Sequence, residues 1–164
     1  MNSLFSFENI LPQAEIILKN ALNVDKAKLF LLKKLENNKT QLIQYKEDST
    51  FETFEGTIGI AGYTAKTANI QNLSNAYNNP LYNGQIDIET SMPMICVPIT
   101  HPNIPNEVLG VIEVLNTKGI QGLSAFHKSR INHQDYEILD FFAQQLAQTI
   151  LNNHKWDQIV KVTK

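Results

Sequence analysis

Cys96 is the only cysteine in 164 residues. No intramolecular disulfide can form, and a cytoplasmic setting is expected. Charge of one sign is not in excess, because 14 basic and 16 acidic side chains leave a formal net charge of −2. That balance gives no broad electrostatic footprint, so neither nucleic acid nor an anionic membrane is an expected partner. No uninterrupted apolar run approaches the ~20 residues of a membrane span. The first eight residues lack the basic start and apolar centre of a signal peptide. His101, His127, His133 and His154 are scattered without metal-ligand spacing, and no metal is expected. There is no nucleophile elbow, no phosphate loop and no dinucleotide glycine fingerprint, so catalysis has no support in these motifs.

What remains is 43% hydrophobic and 18% charged, which suits one globular domain over residues 1–164 with a sizeable core. The chain is organised around residues 59–83. Gly59 and Gly62 bracket Ile60 and Ala61, and Ile60, Tyr63 and Thr64 then recur at helical spacing to about Thr67. A short strand is expected over 68–73, then a polar segment with Pro80 over 75–83. A helix start, a short strand and a polar lid suggest a small-molecule cradle, in which the free N–H groups of the helix could meet an anion. From these residues alone, an ordinary strand-to-helix connection is the preferred reading.

Residues 9–22 place Ile10, Leu11, Ala14, Ile17, Leu18, Ala21 and Leu22 at helical spacing, with Pro12 expected in the first turn. Residues 28–35 and 41–46 read as two strands of a hairpin, and 47–56 as a polar loop containing Phe51 and Phe54. Residues 95–100 read as a strand in which Pro98 implies an edge, an end or a bulge. Residues 108–116 form an apolar run that predicts a strand buried on both faces, with helices on both sides. Glu113 interrupts that run. It either points to solvent at an edge or serves a ligand or hydrogen-bond role. Cys96, in an apolar strand, is expected to be a buried, inert thiol. Asp87 and Glu113 together could do acid–base work, although surface acids are far commoner.

A last helix starts near Asn132 as a candidate N-cap, with Asp135 in its first turn. Leu139, Phe142, Leu146, Thr149, Asn153, Trp156 and Val160 step by three and four, and Ile138, Phe141 and Ile150 widen the stripe. Residues 152–164 turn polar yet keep the stepping, as a helical linker to a following domain would. Trp156, Ile159 and Val160 lie too far along to reach the sheet. Cover by the first helix or by a second subunit is expected for them.

Gly59-Ile60-Ala61-Gly62-Tyr63-Thr64, the segment 75–83, Ile95-Cys96-Val97-Pro98-Ile99 and Val108-Leu109-Gly110-Val111-Ile112-Glu113-Val114 resemble a GAF domain. The resemblance is nearest to the regulatory GAF domains of cyclic nucleotide phosphodiesterases and adenylyl cyclases. It implies an α+β fold in α/β/α layers, with an antiparallel sheet of about six strands and a ligand held between sheet and lid. It also implies that Ile60, Ala61, Asp87, Thr90 and Glu113 contact the ligand, for which cyclic AMP or cyclic GMP is the candidate, and that Asn116 and Asp135 brace the pocket.

Several positions depart from the family pattern. Lys28 stands where a small polar residue is usual, and Asn83 replaces an aromatic. The family's Asn-Lys signature survives only as Asn116-Thr117, with Ile131 and Asp135-Tyr136 in its later part. Thr117 carries no charge, so the signature's salt bridge cannot form. The resemblance implies a non-catalytic signalling module, paired as a homodimer through its terminal helices. The alternative is a degenerate domain that serves only dimerisation and signal relay in a phosphodiesterase or other signalling protein. Some stand-alone relatives reduce free methionine sulfoxide, but one cysteine cannot form the resolving disulfide of that chemistry.

Overall fold

The computed structural model describes residues 7–24, 26–48, 50–73, 79–88, 94–115 and 133–163, with the side chains of residues 7, 8, 133–136 and 154–163 excepted. Helix α1, Phe7–Leu22, is amphipathic. Leu11, Ala14, Leu18 and Leu22 recur every three or four residues and are all buried. The helix starts earlier than the spacing predicts, so Pro12 lies inside it and not in its first turn. The proline removes one intrahelical donor there.

Six strands follow: β1 Lys26–Lys34, β2 Thr40–Tyr45, β3 Phe51–Glu55, β4 Gln71–Leu73, β5 Met94–Thr100 and β6 Val108–Leu115. They form one sheet in the order β3-β2-β1-β6-β5-β4, and every neighbouring pair is antiparallel. Helix α2, Gly59–Thr67, connects β3 to β4, and helix α3, His133–Thr163, ends the described chain. The α+β class and the six-stranded antiparallel sheet agree with the expectation.

β3 is the element missing from the sequence reading, which made 47–56 a loop. Its residues Phe-Glu-Thr-Phe-Glu present no uniformly apolar face, and the strand is the exposed edge of the sheet. It holds by pairing with β2, from Gln41↔Glu55 to Tyr45↔Phe51, and by an edge-on contact of Phe54 with Phe30. Pro98 is tolerated in β5 because β4 pairs only from Met94 to Cys96. Among the described residues no strand pairs with the outer side of β5 at Pro98, and the register with β6 shifts just beyond it, between Ile99 and Thr100.

Strand alternation divides the core in two. Leu29, Leu31, Ile95, Val97, Ile99, Ile112 and Val114 face α1 and α3, where Leu18 and Leu139 are wholly buried. Phe30, Leu42, Met94, Cys96, Val111 and Leu115 face α2 and Ile86 and Ile88 of the covering segment 79–88. Each such aliphatic side chain contributes about 1.5–3 kcal/mol by leaving water. On α3, Leu139, Leu146 and Ile150 are buried, but Ile138 and Phe141 are exposed and do not widen the buried stripe. α3 runs on to Thr163, as the continued stepping predicts.

One polar contact pins α1 to the sheet. Where β2 parts from β1, the Leu29 N–H donates to Glu15 Oε2 at 2.7 Å, and Gln44 Nε2 donates to the same oxygen at 3.1 Å. Burial raises the Glu15 carboxyl pKa, while these two donors act in the opposite sense. Glu15→Ala strands the Leu29 N–H. It is expected to lower stability by about 1–3 kcal/mol, seen as a lower urea midpoint at unchanged slope.

Candidate functional site

Parity along β6 sends Glu113 toward the α2 face together with Val111 and Leu115. The sheet register sets it directly opposite Lys28 in β1 and Cys96 in β5. Glu113 is 0% exposed, so the edge position in solvent is excluded. The row Lys28, Glu113, Cys96 crosses the middle of the sheet beneath α2 and the segment 79–88.

Helix α2 starts without a local cap. Ile58 occupies the N-cap position and makes no side-chain hydrogen bond there. The two free donors of the first turn are met from 27 and 26 residues away: the Ile60 N–H donates to Asp87 Oδ2 at 2.8 Å and the Ala61 N–H to Asp87 Oδ1 at 3.1 Å. The Asn83 N–H donates to the same Oδ2 at 2.9 Å. Asp87 is therefore a buried carboxylate on a helix N-terminus, where backbone donors and the helix dipole both favour negative charge. Gly59 makes the approach feasible. It has φ +74°, and a Cβ there would lie 2.5 Å from Ile86 Cγ2 and 2.7 Å from Asp87 Oδ2.

The covering segment is fastened further by Lys28 Nζ, which donates to the Ile86 carbonyl at 3.1 Å, and by the Ile88 N–H, which donates to Glu113 Oε1 at 3.1 Å. Glu113 Oε2 has no hydrogen-bond partner among the described residues and is fully buried. Burial, and next the Asp87 carboxyl beside it, hold the Glu113 pKa well above the usual carboxylate range. The Ile88 N–H and the Lys28 charge oppose this and do not prevail. Protonated Glu113 carries no charge, which relieves the repulsion between two buried carboxyls.

Cys96 is buried, as expected for an inert thiol. Burial first and Glu113 second push its pKa well up, against a hydrogen bond with the Thr64 hydroxyl. Thr64 in turn donates to the Ile60 carbonyl at 2.8 Å. Among the described residues no group of three or more His, Cys, Asp or Glu side chains could hold a metal ion.

Of the residues singled out from the sequence, Ile60, Ala61, Asp87 and Glu113 meet in one enclosed cluster. Thr90 and Asn116 lie outside the described residues. Asp135 is in the first turn of α3, but its side chain is likewise outside them. The sequence allows an anion at the α2 start; in the structure the side chain of the chain's own Asp87 accepts those N–H groups. Lys28 and Thr64 complete the cluster. Lys28 drew notice only as a departure from the family pattern, and Thr64 only as part of a helical repeat. Neither carries a local signal, because strand register and helix docking bring them in.

An antiparallel sheet with two terminal helices on one face, and a short helix and covering segment over a buried polar cluster on the other, defines a three-layer α+β domain. The GAF domain family matches residues 8–150, so the chain belongs to that family. It is similar to the GAF domain of an Acinetobacter phosphoenolpyruvate-protein phosphotransferase, at 19% identity over 93% of this chain and 87% of that one, with TM-score 0.66. The corresponding Coxiella burnetii domain gives 17% identity over 92% and 86%, with TM-score 0.67. A type II free methionine-R-sulfoxide reductase from Thermoplasma acidophilum gives 18% over 90% and 95%, with TM-score 0.61. At these identities the likeness concerns the fold. A search of curated proteins finds no match.

The proton on Glu113 is the testable consequence of this geometry. The group binds its proton more tightly folded than unfolded. Its stabilising contribution is therefore complete below the ordinary value of 4.5 and declines as pH rises from there toward the raised folded pKa. The charged and titratable groups around it are Asp87, Lys28 and Cys96. Glu113→Gln, neutral throughout, is expected to remove a decline of up to about 1.4 kcal/mol per pH unit. Urea unfolding of both proteins between pH 5 and pH 8 measures the difference; parallel pH profiles would contradict the assignment.

Proposed function

We propose that this GAF domain is a non-catalytic regulatory sensor whose interior between α2, the sheet and the segment 79–88 takes a small molecule. The observation that supports it is Glu113, a fully buried carboxyl with one oxygen unpartnered among the described residues, set beside Asp87 under a segment tied down by ionisable side chains. A core needed only for stability gains nothing from such a group, because a buried polar atom without a partner costs about 1–3 kcal/mol. A ligand donor reaching Glu113 Oε2 would recover that cost. Cyclic AMP and cyclic GMP remain the candidate ligands. For either one, Asp87 must first leave the α2 start, so a cyclic phosphate can take its place. Thr90, together with Ile60, Ala61, Asp87 and Glu113, is assigned to ligand contact, and Asn116 and Asp135 to bracing the pocket. We set the site of action in the cytoplasm. Reductase chemistry of the kind named for the Thermoplasma neighbour is not assigned to the chain, since its one cysteine is buried and hard to ionise.

A thermal-shift panel of cyclic AMP, cyclic GMP and common metabolites tests the sensor. A binder at ~100 times its dissociation constant is expected to stabilise the domain by about 2.7 kcal/mol. Glu113→Ala is expected to reduce that response. A panel in which no compound shifts the wild type would count against a ligand and favour the second reading.

That second reading, dimerisation and signal relay, is favoured by a different observation. Ile16 and Ile17 on α1 and Ile138 and Phe141 on α3 are exposed, and a cavity of about 510 Å³ opens between the helices beside Ile17 and Phe142. The two readings are compatible in a homodimer paired through α1 and α3. Sedimentation at tens-of-micromolar concentration (about where a standard-sized interface holds) is expected to give a dimer for the wild type and a monomer for Ile17→Glu, Phe141→Glu. A monomeric wild type would rule the pairing out.

A further inference from the structure

The attachments of the segment 83–88 to the rest of the domain have a common character. Among the described residues, its hydrogen bonds to other elements run through three ionisable side chains. Asp87 reaches the Ile60 and Ala61 N–H groups, Lys28 reaches the Ile86 carbonyl, and Glu113 receives the Ile88 N–H. The segment's main chain bonds within itself, with Ile86 and Asp87 N–H donating to the Asn83 carbonyl at 3.1 and 2.9 Å. The segment does not extend the sheet. It is seated by two buried isoleucines, Ile86 and Ile88, and by one carboxylate on a helix terminus.

An ordinary helix cap comes from the residue at the N-cap, whose side chain reaches two or three residues forward. Here that residue is Ile58, and the cap arrives from a separate covering segment. The site it fills has the features of a site for a small anion. Two converging N–H donors lie at the positive end of a helix, enclosed, with the buried and unpartnered Glu113 Oε2 alongside. Burial alone does not explain why the carboxyl comes from the covering segment and not from α2 itself.

We infer that Asp87 is a built-in anionic ligand: the domain closes on its own carboxylate, and an external carboxylate or phosphate gains the α2 N-terminus only by displacing it. This rests on the sensor reading for the location of the site and adds how the site is regulated. A tethered group competes at an effective concentration in about the millimolar range or above. The apparent affinity for an external anion is then reduced by the fraction of time the segment is open. Ligands that pair an anionic group with a hydrogen-bond donor for Glu113 are favoured, because they replace both functions of the closed state. Simple anions replace only one.

Chemical rescue separates this from a fixed structural cap. Asp87→Ala removes a carboxylate the size of formate and leaves the N–H groups of Ile60 and Ala61 without their acceptor. Sodium formate is the probe, titrated at constant ionic strength against sodium chloride. In Asp87→Ala, formate is expected to raise the melting temperature saturably and to slow amide exchange at Ile60 and Ala61 about tenfold, the scale of regaining a charge-assisted hydrogen bond. The wild type, already occupied, is expected to respond no more to formate than to chloride. Equal responses in the two proteins, or none in a folded Asp87→Ala, would overturn the inference.

Should that variant fail to fold, wild-type hydrogen exchange decides. The Ile60, Ala61 and Asn83 amides share one acceptor residue and are expected to open together, whereas exchange of Asn83 with Ile60 and Ala61 still protected would overturn the latch. A ligand found in the panel without formate rescue removes the built-in anion and leaves the sensor. Rescue without any panel ligand upholds the built-in anion and leaves the sensor unsupported.

Discussion

The carboxylate of Asp87 on the first turn of α2 is the contact on which one whole face of the domain depends. It supplies the helix with a cap that its own sequence does not, since Ile58 cannot accept from the helix N–H groups. It also carries Ile86 and Ile88 into the core against Phe30, Met94 and Leu115. The position of Glu113 then follows from strand parity. It arrives in the same enclosed space and keeps its proton there because burial and Asp87 disfavour a second negative charge. Lys28, one strand away, has its amino group turned to the Ile86 carbonyl. The polar cluster is thus a consequence of three separate elements meeting, and no two adjacent residues could produce it.

The opposite face is built on different terms. α1 and α3 pack on the sheet through aliphatic side chains, with Glu15 as the main polar tie. Its energetics are those of area removed from water, spread over many residues. The α2 face concentrates its polar contacts in a few ionisable groups.

Much of this was legible in the sequence, and the limits have physical causes. α2 was readable because its glycines and its Ile60 and Thr64 spacing are local, and β6 because a long apolar run admits few alternatives. The core of α3 was readable through Leu139, Leu146 and Ile150, but Ile138 and Phe141 were misplaced, since periodicity alone does not say how wide a stripe the sheet can cover. β3 escaped notice because an exposed edge strand needs no hydrophobic alternation; its order comes from pairing with β2. At the site, Glu113 in an apolar strand was conspicuous and Asp87 came with the family resemblance. That Asp87 itself occupies the helix terminus could not be read from the chain, because the contact spans 27 residues and depends on the fold of the intervening segment.

Asp87 and Glu113 are two buried carboxyls under the covering segment 79–88, and Glu113 is the one whose pKa is raised. Carboxyl-carbon NMR of the glutamate side chains, followed from acid to alkaline pH with Glu113→Gln to assign the resonance, tests it directly. Glu113 is expected to keep the shift of a protonated acid well above the ordinary glutamate value of 4.5, while exposed glutamates such as Glu36 and Glu55 change near that value. If Glu113 titrates together with the exposed residues, its carboxyl is hydrated and ionised, and the closed site with a protonated Glu113 described here is wrong.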